Sequence, residues 1–305
     1  MTLALPLPRR TSQLFGVRLR CEQWCGLGFL AYATASLFWV EQINYWMLFH
    51  WVGLVLAFFI GYRLRSLRVL YISLCFFLSL NVAIALAQYF GWDYIPSPYF
   101  PAGLFGNANF LAGALALTIA AALAARLYWF LPVGGLGLWL TQSRGALIAV
   151  GVACLLFLWR RAKVTAFVVA VLTPILAFHF STPDRINGLE ARLGVWNTTF
   201  NHLSLRGAGL GSFQSAYDAF PIRINMTEAR PAHAYNDYLE VVFEFGLGAI
   251  LLLSLVVLAL ESAAEAERLV LVTFIALGVS HYPLFLPFTG LLAALAMGQA
   301  LRPKQ

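Results

Sequence analysis

The sequence predicts an all-α polytopic membrane protein with about ten transmembrane helices and one ordered, partly helical loop outside the bilayer. Composition is the first reason. Of 305 residues, 61% are hydrophobic and 11% are charged, against about 45–50% and about 25% in a soluble domain. Apolar runs recur from Trp24 to Leu301 without the period-two alternation of a membrane barrel. Lys and Arg collect on one side of those runs, as the positive-inside rule requires.

The expected spans lie near 24–40, 43–62, 68–90, 108–125, 127–141, 145–159, 164–180, 237–260, 268–284 and 286–301. Arg9, Arg10, Arg18 and Arg20 precede the first span. The segment "PRRTSQLF" reads as a positive-inside anchor in preference to a twin-arginine signal, and no cleavage site is expected after the first apolar run. Arg63, Arg65 and Arg68 join the second and third spans. The loop 91–107, "GWDYIPSPYFPAGLFGN", carries aromatic residues suited to the headgroup level. Arg126 follows the fourth span. The fifth and sixth spans are short and flank a polar break, "LTQSRGALIAV". Arg160, Arg161 and Lys163 follow the sixth, and Arg268 precedes the ninth. Pro283 and Pro287 separate the last two as a hairpin or kink. Arg302 and Lys304 end the chain.

With this count both termini are cytoplasmic. The other side keeps Arg144, Arg185, Arg192, Arg206, Arg223 and Arg230, and no Lys. The net charge of +7 is therefore mostly topology, and no basic soluble face offers itself to nucleic acid. Residues 1–305 are expected to form a single membrane domain. The loop region 181–236 is expected to be ordered, because Leu189, Leu193, Trp196 and Phe200 repeat at helical spacing. Cys21, Cys25, Cys75 and Cys154 suggest no disulfide framework and no metal site.

Polar residues within such a chain call for a reason. In "RPAHAYNDYLEVVFEFG", Asp237, Glu240 and Glu244 follow His233 at i+4, i+7 and i+11, which places all four on one helix face. That stripe is either a seam pairing helices or a site with His233 as general base at the water boundary and the acids orienting its ring. Arg144, between Ser143 and Gly145, is either an interfacial snorkelling residue or an anion holder. Arg192 and Arg206 add cationic groups in the loop region. Gly207, Gly209 and Gly211 read as a tight loop sooner than a phosphate cradle. Asn107 and Asn109 suit a helix cap or a glycan contact. His281 suits a bond across the bundle or a place in the site.

These segments resemble the bacterial O-antigen ligase and polymerase family. The resemblance rests on "GLFGNANFLAGALAL", "TQSRGALIAV", "RLGVWNTTF" with "GAGLGSF", "PAHAYNDYLEVVFEFGLGAILLL" and "SHYPLFLPFTGLLAAL", in that order over about residues 100–300. Members usually have more helices before the Asn-rich segment, and many place Asn directly after the His, where this chain has Ala234 and Tyr235. The resemblance implies a metal-independent, cofactor-free inverting glycosyltransferase at the periplasmic face of the bacterial inner membrane. His233 would be the base, and Arg144 and Arg192, joined by Arg206, would hold the pyrophosphate of an undecaprenyl-linked donor. Asn107, Asn109, Asn236, Asp237, Glu240, Glu244 and His281 would support them. The acceptor would be a lipid A-core sugar, a growing glycan or a protein hydroxyl. A lipid or sugar transporter is the reading from another class, although its usual inverted repeats are not seen in the sequence.

Overall fold

The structure is a computed structural model. It describes residues 12–14, 17–19, 21–92, 101–159, 161–179, 183–219, 222–224, 227–229 and 231–303. Expectations resting on residues 93–100, or on the side chains of Arg9, Arg10, Arg18, Arg20, Arg160, Arg185, Arg223, Arg230 and Lys304, fall outside the described residues.

The described chain is helical apart from two ribbons of three-residue strands, at Ser12–Leu14 with Val17–Leu19 and at Ile222–Ile224 with Thr227–Ala229. The helices are α1 (Cys21–Ser36), α2 (Tyr45–Arg63), α3 (Arg68–Tyr89), α4 (Ala108–Ala125), α5 (Phe130–Thr141), α6 (Arg144–Trp159) and α7 (Lys163–His179). Then follow α8 (Pro183–Asn201), α9 (Phe213–Ala219), α10 (Asp237–Phe245), α11 (Ala249–Ser262), α12 (Glu265–Gly278) and α13 (Pro287–Ala300). Among the described residues, four segments suffice by length and composition to cross a membrane: α2, α3, α4, and Asp237–Ser262 taken as one. Phe38 (91% exposed), Val69 (76%), Phe76 (64%) and Phe178 (80%) point outward from the bundle. Apolar helices with faces of this kind are those of a membrane protein.

Local chemistry sets the helix ends. The side chain of Asn44 accepts the Met47 N–H at 3.2 Å to cap α2, and Asn107 accepts the Asn109 N–H at 2.8 Å at the start of α4. Arg126 and Gln142, with φ of 60° and 51°, close α4 and α5 in the left-handed conformation. α4 is the central helix, with residues 111–123 all buried. Its Ala-rich stretch lets α3, α5, α6 and α12 approach closely. α2 and α13 meet through Gly61 and Gly298, where an added Cβ would run into the Leu295 and Phe58 carbonyls.

Two expectations need correction. The eighth span is not one helix: a 3₁₀ turn at Gly246–Gly248 divides α10 from α11. Gly246 has φ of +50°, and a Cβ there would strike the Leu205 carbonyl. The loop before α9 satisfies the backbone freed by the break. Ala208 and Gly209 donate to the Phe243 and Glu244 carbonyls, each at 2.9 Å, and Leu247 donates to the Leu205 carbonyl at 2.8 Å. The second correction concerns α8. Its expected apolar stripe is not its buried face, because Leu193 and Phe200 are 51% and 68% exposed. Val195 and Thr199 are buried instead, and Arg192 lies on the same side, one turn earlier.

Candidate functional site

The site is built where the chain enters α10. Asn236 is the N-cap: its Oδ1 accepts the Leu239 N–H at 3.0 Å, and its Nδ2 donates to the Val279 carbonyl at 3.2 Å. Its cap thus also ties α10 to the end of α12. His233 therefore precedes the helix and is not part of its face, contrary to the expected stripe. Tyr235, with φ of +54°, turns the chain back so that His233 still lies over the helix. The ring Nδ1 lies 2.8 Å from Oε1 of Glu240. The Ala234 N–H donates to Oε2 of the same carboxylate at 2.8 Å, and the Ala234 carbonyl accepts from Trp196 Nε1 at 2.8 Å.

This arrangement selects a tautomer. With Glu240 ionised, its oxygen can only accept, which places the proton on Nδ1 and leaves the lone pair on Nε2. The His233 side chain is 16% exposed and that of Glu240 is 1% exposed. Burial pushes the His233 pKa down to about 4, so the ring is neutral at neutral pH. Tyr282 stacks on the imidazole, with ring centres 4.3 Å apart and planes 16° apart, and Phe285 lies at 5.5 Å.

Cationic groups stand beside this pair. Arg192 donates from Nη1 to the Ser280 carbonyl at 2.9 Å, and its guanidinium lies 5.3 Å from the Tyr235 ring centre. Burial lowers its pKa from the usual value; Arg144 lowers it further, while Tyr235 and Tyr282 oppose them. The charge of Arg144 is thus felt at Arg192. His281 is buried between Ser143 Oγ, 3.4 Å from Nε2, and Ser280 Oγ, 3.1 Å from Nδ1. Gly145 admits it, since a Cβ there would collide with the ring. The start of α6, which carries Arg144, is thereby closed onto the α12–α13 connection. Phe110 meets Tyr282 edge-on at 6.0 Å and brings the start of α4 to the same place.

Other expected members take different roles. Asp237 Oδ2 accepts the Leu284 N–H at 3.0 Å, while Oδ1 is buried with no partner among the described residues. Glu244 Oε1 accepts the Phe213 N–H at 3.4 Å, and Gly211 donates to the same side chain. Glu244 thus fixes the loop of Gly207, Gly209 and Gly211, whose φ values of 71°, 104° and 71° explain the alternating glycines. Arg206 is not brought to His233. Its guanidinium lies 5.8 Å from the Trp39 ring centre, near the far end of α10, a helix about 13 Å long at 1.5 Å per residue. Asn107 caps α4, and Asn109 is exposed.

Tyr282 was not singled out by sequence reasoning, and Trp196 was expected only as part of an apolar stripe. Tyr282 adjoins His281 in "SHYPLFLP", and that adjacency was the available signal. An apolar cavity of about 950 Å³ runs between α1, α2 and α11–α13, from Tyr62 and Arg63 at one end to Trp51, Asp237 and Tyr238 at the other. Compared with models of known families and with characterised proteins, the chain matches none.

Proposed function

We propose that this chain is a membrane glycosyltransferase that moves a glycan from an undecaprenyl-pyrophosphate carrier to an acceptor hydroxyl, as an O-antigen ligase or polymerase does. In this reading ten helices cross the bacterial inner membrane, both termini are cytoplasmic and the site faces the periplasm. The His233–Glu240 pair beside Arg192 and Arg144 carries the proposal. A neutral imidazole held by a carboxylate on one nitrogen is a general base on the other. Guanidinium groups placed near one another suit a polyanion such as pyrophosphate.

The acceptor O–H gives its proton to His233 Nε2. The acceptor oxygen bonds to the anomeric carbon with inversion as the bond from that carbon to the pyrophosphate oxygen breaks. The leaving pyrophosphate keeps the electron pair, and the arginines stabilise its charge. Glu240 offsets the positive charge formed on His233. The carrier's polyisoprenoid chain suits the apolar cavity that ends at Asp237 and Tyr238. Arg206, stacked over Trp39, has no part in binding the pyrophosphate in this scheme.

The test is transfer by the purified chain in detergent, with a lipid-pyrophosphate glycan and each class of acceptor. Carrier release coupled to transfer is expected. His233→Ala should abolish it without removing the protein from the membrane, and Arg192→Lys should lose most of it because a point charge does not replace a fork. Movement of intact lipid without bond cleavage would make the chain a transporter instead.

A further inference from the structure

A second cavity, of about 500 Å³, opens at the opposite end of α12. Its polar lining comes from Arg65, Ser262, Glu267, Gln299 and Arg302. Glu267 lies in the first turn of α12, whereas the His233 site adjoins its last turn, about 20 Å away along the helix. The cavity is of a size that holds small ligands. Its groups divide by chemistry. Arg65 is exposed, and Arg302 is half-buried and pinned by donation from Nη1 to the Leu64 carbonyl at 2.9 Å. A guanidinium has five N–H donors, so that one bond leaves others on the Arg302 fork. Glu267 is a buried carboxylate, 6% exposed. Gln299 donates from Nε2 to the Arg65 carbonyl at 3.2 Å, which fixes its amide. Its Oε1 is then buried with no partner among the described residues.

A buried acceptor without a donor is costly and signals a missing one. The pair Glu267 and Gln299 calls for a cation that carries N–H groups. The pair Arg65 and Arg302 calls for a phosphate. From this we infer that the cavity binds the headgroup of a zwitterionic membrane phospholipid bearing a primary ammonium, the phosphoethanolamine class. Its phosphate meets the arginines, and its ammonium donates to Glu267 and to Gln299 Oε1. A phosphoglycerol headgroup brings no cation to those acceptors, and a phosphocholine headgroup brings no N–H. The source is the bilayer and not a soluble metabolite, because the cavity lies at helix ends rich in arginine. Leu64 and Val69 beside Arg65 are 39% and 76% exposed, an apolar surface for acyl chains. The inference does not depend on the proposed enzymatic activity.

The test is native mass spectrometry of the full chain, delipidated in detergent and then offered dioleoyl lipids with phosphoethanolamine, phosphoglycerol or phosphocholine headgroups at equal concentration. The phosphoethanolamine lipid should be retained at least about tenfold better than either other lipid. Glu267→Gln should remove that preference. Arg65→Gln, at an exposed position that leaves packing intact, should weaken retention of the phosphoethanolamine lipid about tenfold, and it decides the matter if the Glu267 variant does not fold. Equal retention of the three lipids by the wild-type chain, preference for another lipid, or unchanged retention by the Arg65 variant would overturn the inference. So would displacement of the lipid by an equal concentration of soluble phosphoethanolamine.

Discussion

Replacing Glu240 by Gln separates the charge of the His233 partner from its shape. The carboxylate takes the His233 Nδ1–H and the Ala234 N–H, each over 2.8 Å. Gln offers one acceptor and one donor. If its oxygen stays on Ala234, its NH₂ faces Nδ1, which must give up its proton, and the ring becomes the Nε2–H tautomer. The nitrogen assigned as base then has no lone pair. If the amide flips, its NH₂ opposes the Ala234 N–H where Ala234 is 0% and the native Glu240 1% exposed. Either state loses one charge-assisted hydrogen bond, worth about 1.5–3 kcal/mol. At about 1.4 kcal/mol per factor of ten, transfer should fall roughly 10- to 150-fold. The measurement is the transfer rate together with ¹⁵N NMR of the His233 ring at neutral pH, with Nδ1–H expected in the wild type and Nε2–H in the variant. A variant with the wild-type tautomer and a rate within twofold of wild type would refute this account of Glu240. The NMR reading tests the geometry even if the reaction is another one.

The remaining predictions follow from the same region. With the His233 pKa near 4, transfer should stay level as pH falls through 6 and halve near pH 4; a midpoint near the ordinary value of about 6.5 would contradict the burial argument. Its effect on folding has the same sign: below about 6.5 the unfolded chain takes up a proton that the native ring does not. Stability should therefore decline from about pH 6.5 to about 4 by on the order of 3 kcal/mol, read as a pH-dependent melting difference from His233→Asn. Tyr235→Gly should be more stable than Tyr235→Ala by about 1 kcal/mol in thermal unfolding, because both lose the ring over Arg192 but only Gly escapes the cost of the left-handed backbone at φ +54°. Gly246→Ala should lower stability by at least about 1–2 kcal/mol, since the new Cβ meets the Leu205 carbonyl at a positive φ.

How far the sequence could lead depended on whether a signal was local. Apolar length located the helices, and Asn107 marked a cap that the residue itself announces, whereas the caps at Asn44 and Asn236 were not read. The break at Gly246 was written in "FGLGA", yet glycine within a strong apolar run reads equally well as a packing residue. What distinguishes the two is the arrival of Leu205, Gly207 and Gly209 from elsewhere in the chain, and that is tertiary information. The polar stripe was legible for a related reason and wrong in detail. Helical spacing linked His233 to Glu240, and the two do meet, but through a turn at Tyr235 that no periodicity describes. α8 failed differently. The amphipathic rule sends apolar residues inward, but the inner face of α8 is taken by a buried polar contact. There Arg192 turns inward to Ser280 while Leu193 and Phe200 face out. The two arginines of "TQSRGAL" and "RLGVW" were grouped through the family resemblance, and Arg206 was added to them by its charge and its place in the same loop region. Position divides them: the packing of His281 against Gly145 brings α6 to Arg192, and the loop that wraps α10 carries Arg206 to Trp39. Charge type in a sequence therefore nominates the members of a site, and the buried contacts between helices select among them.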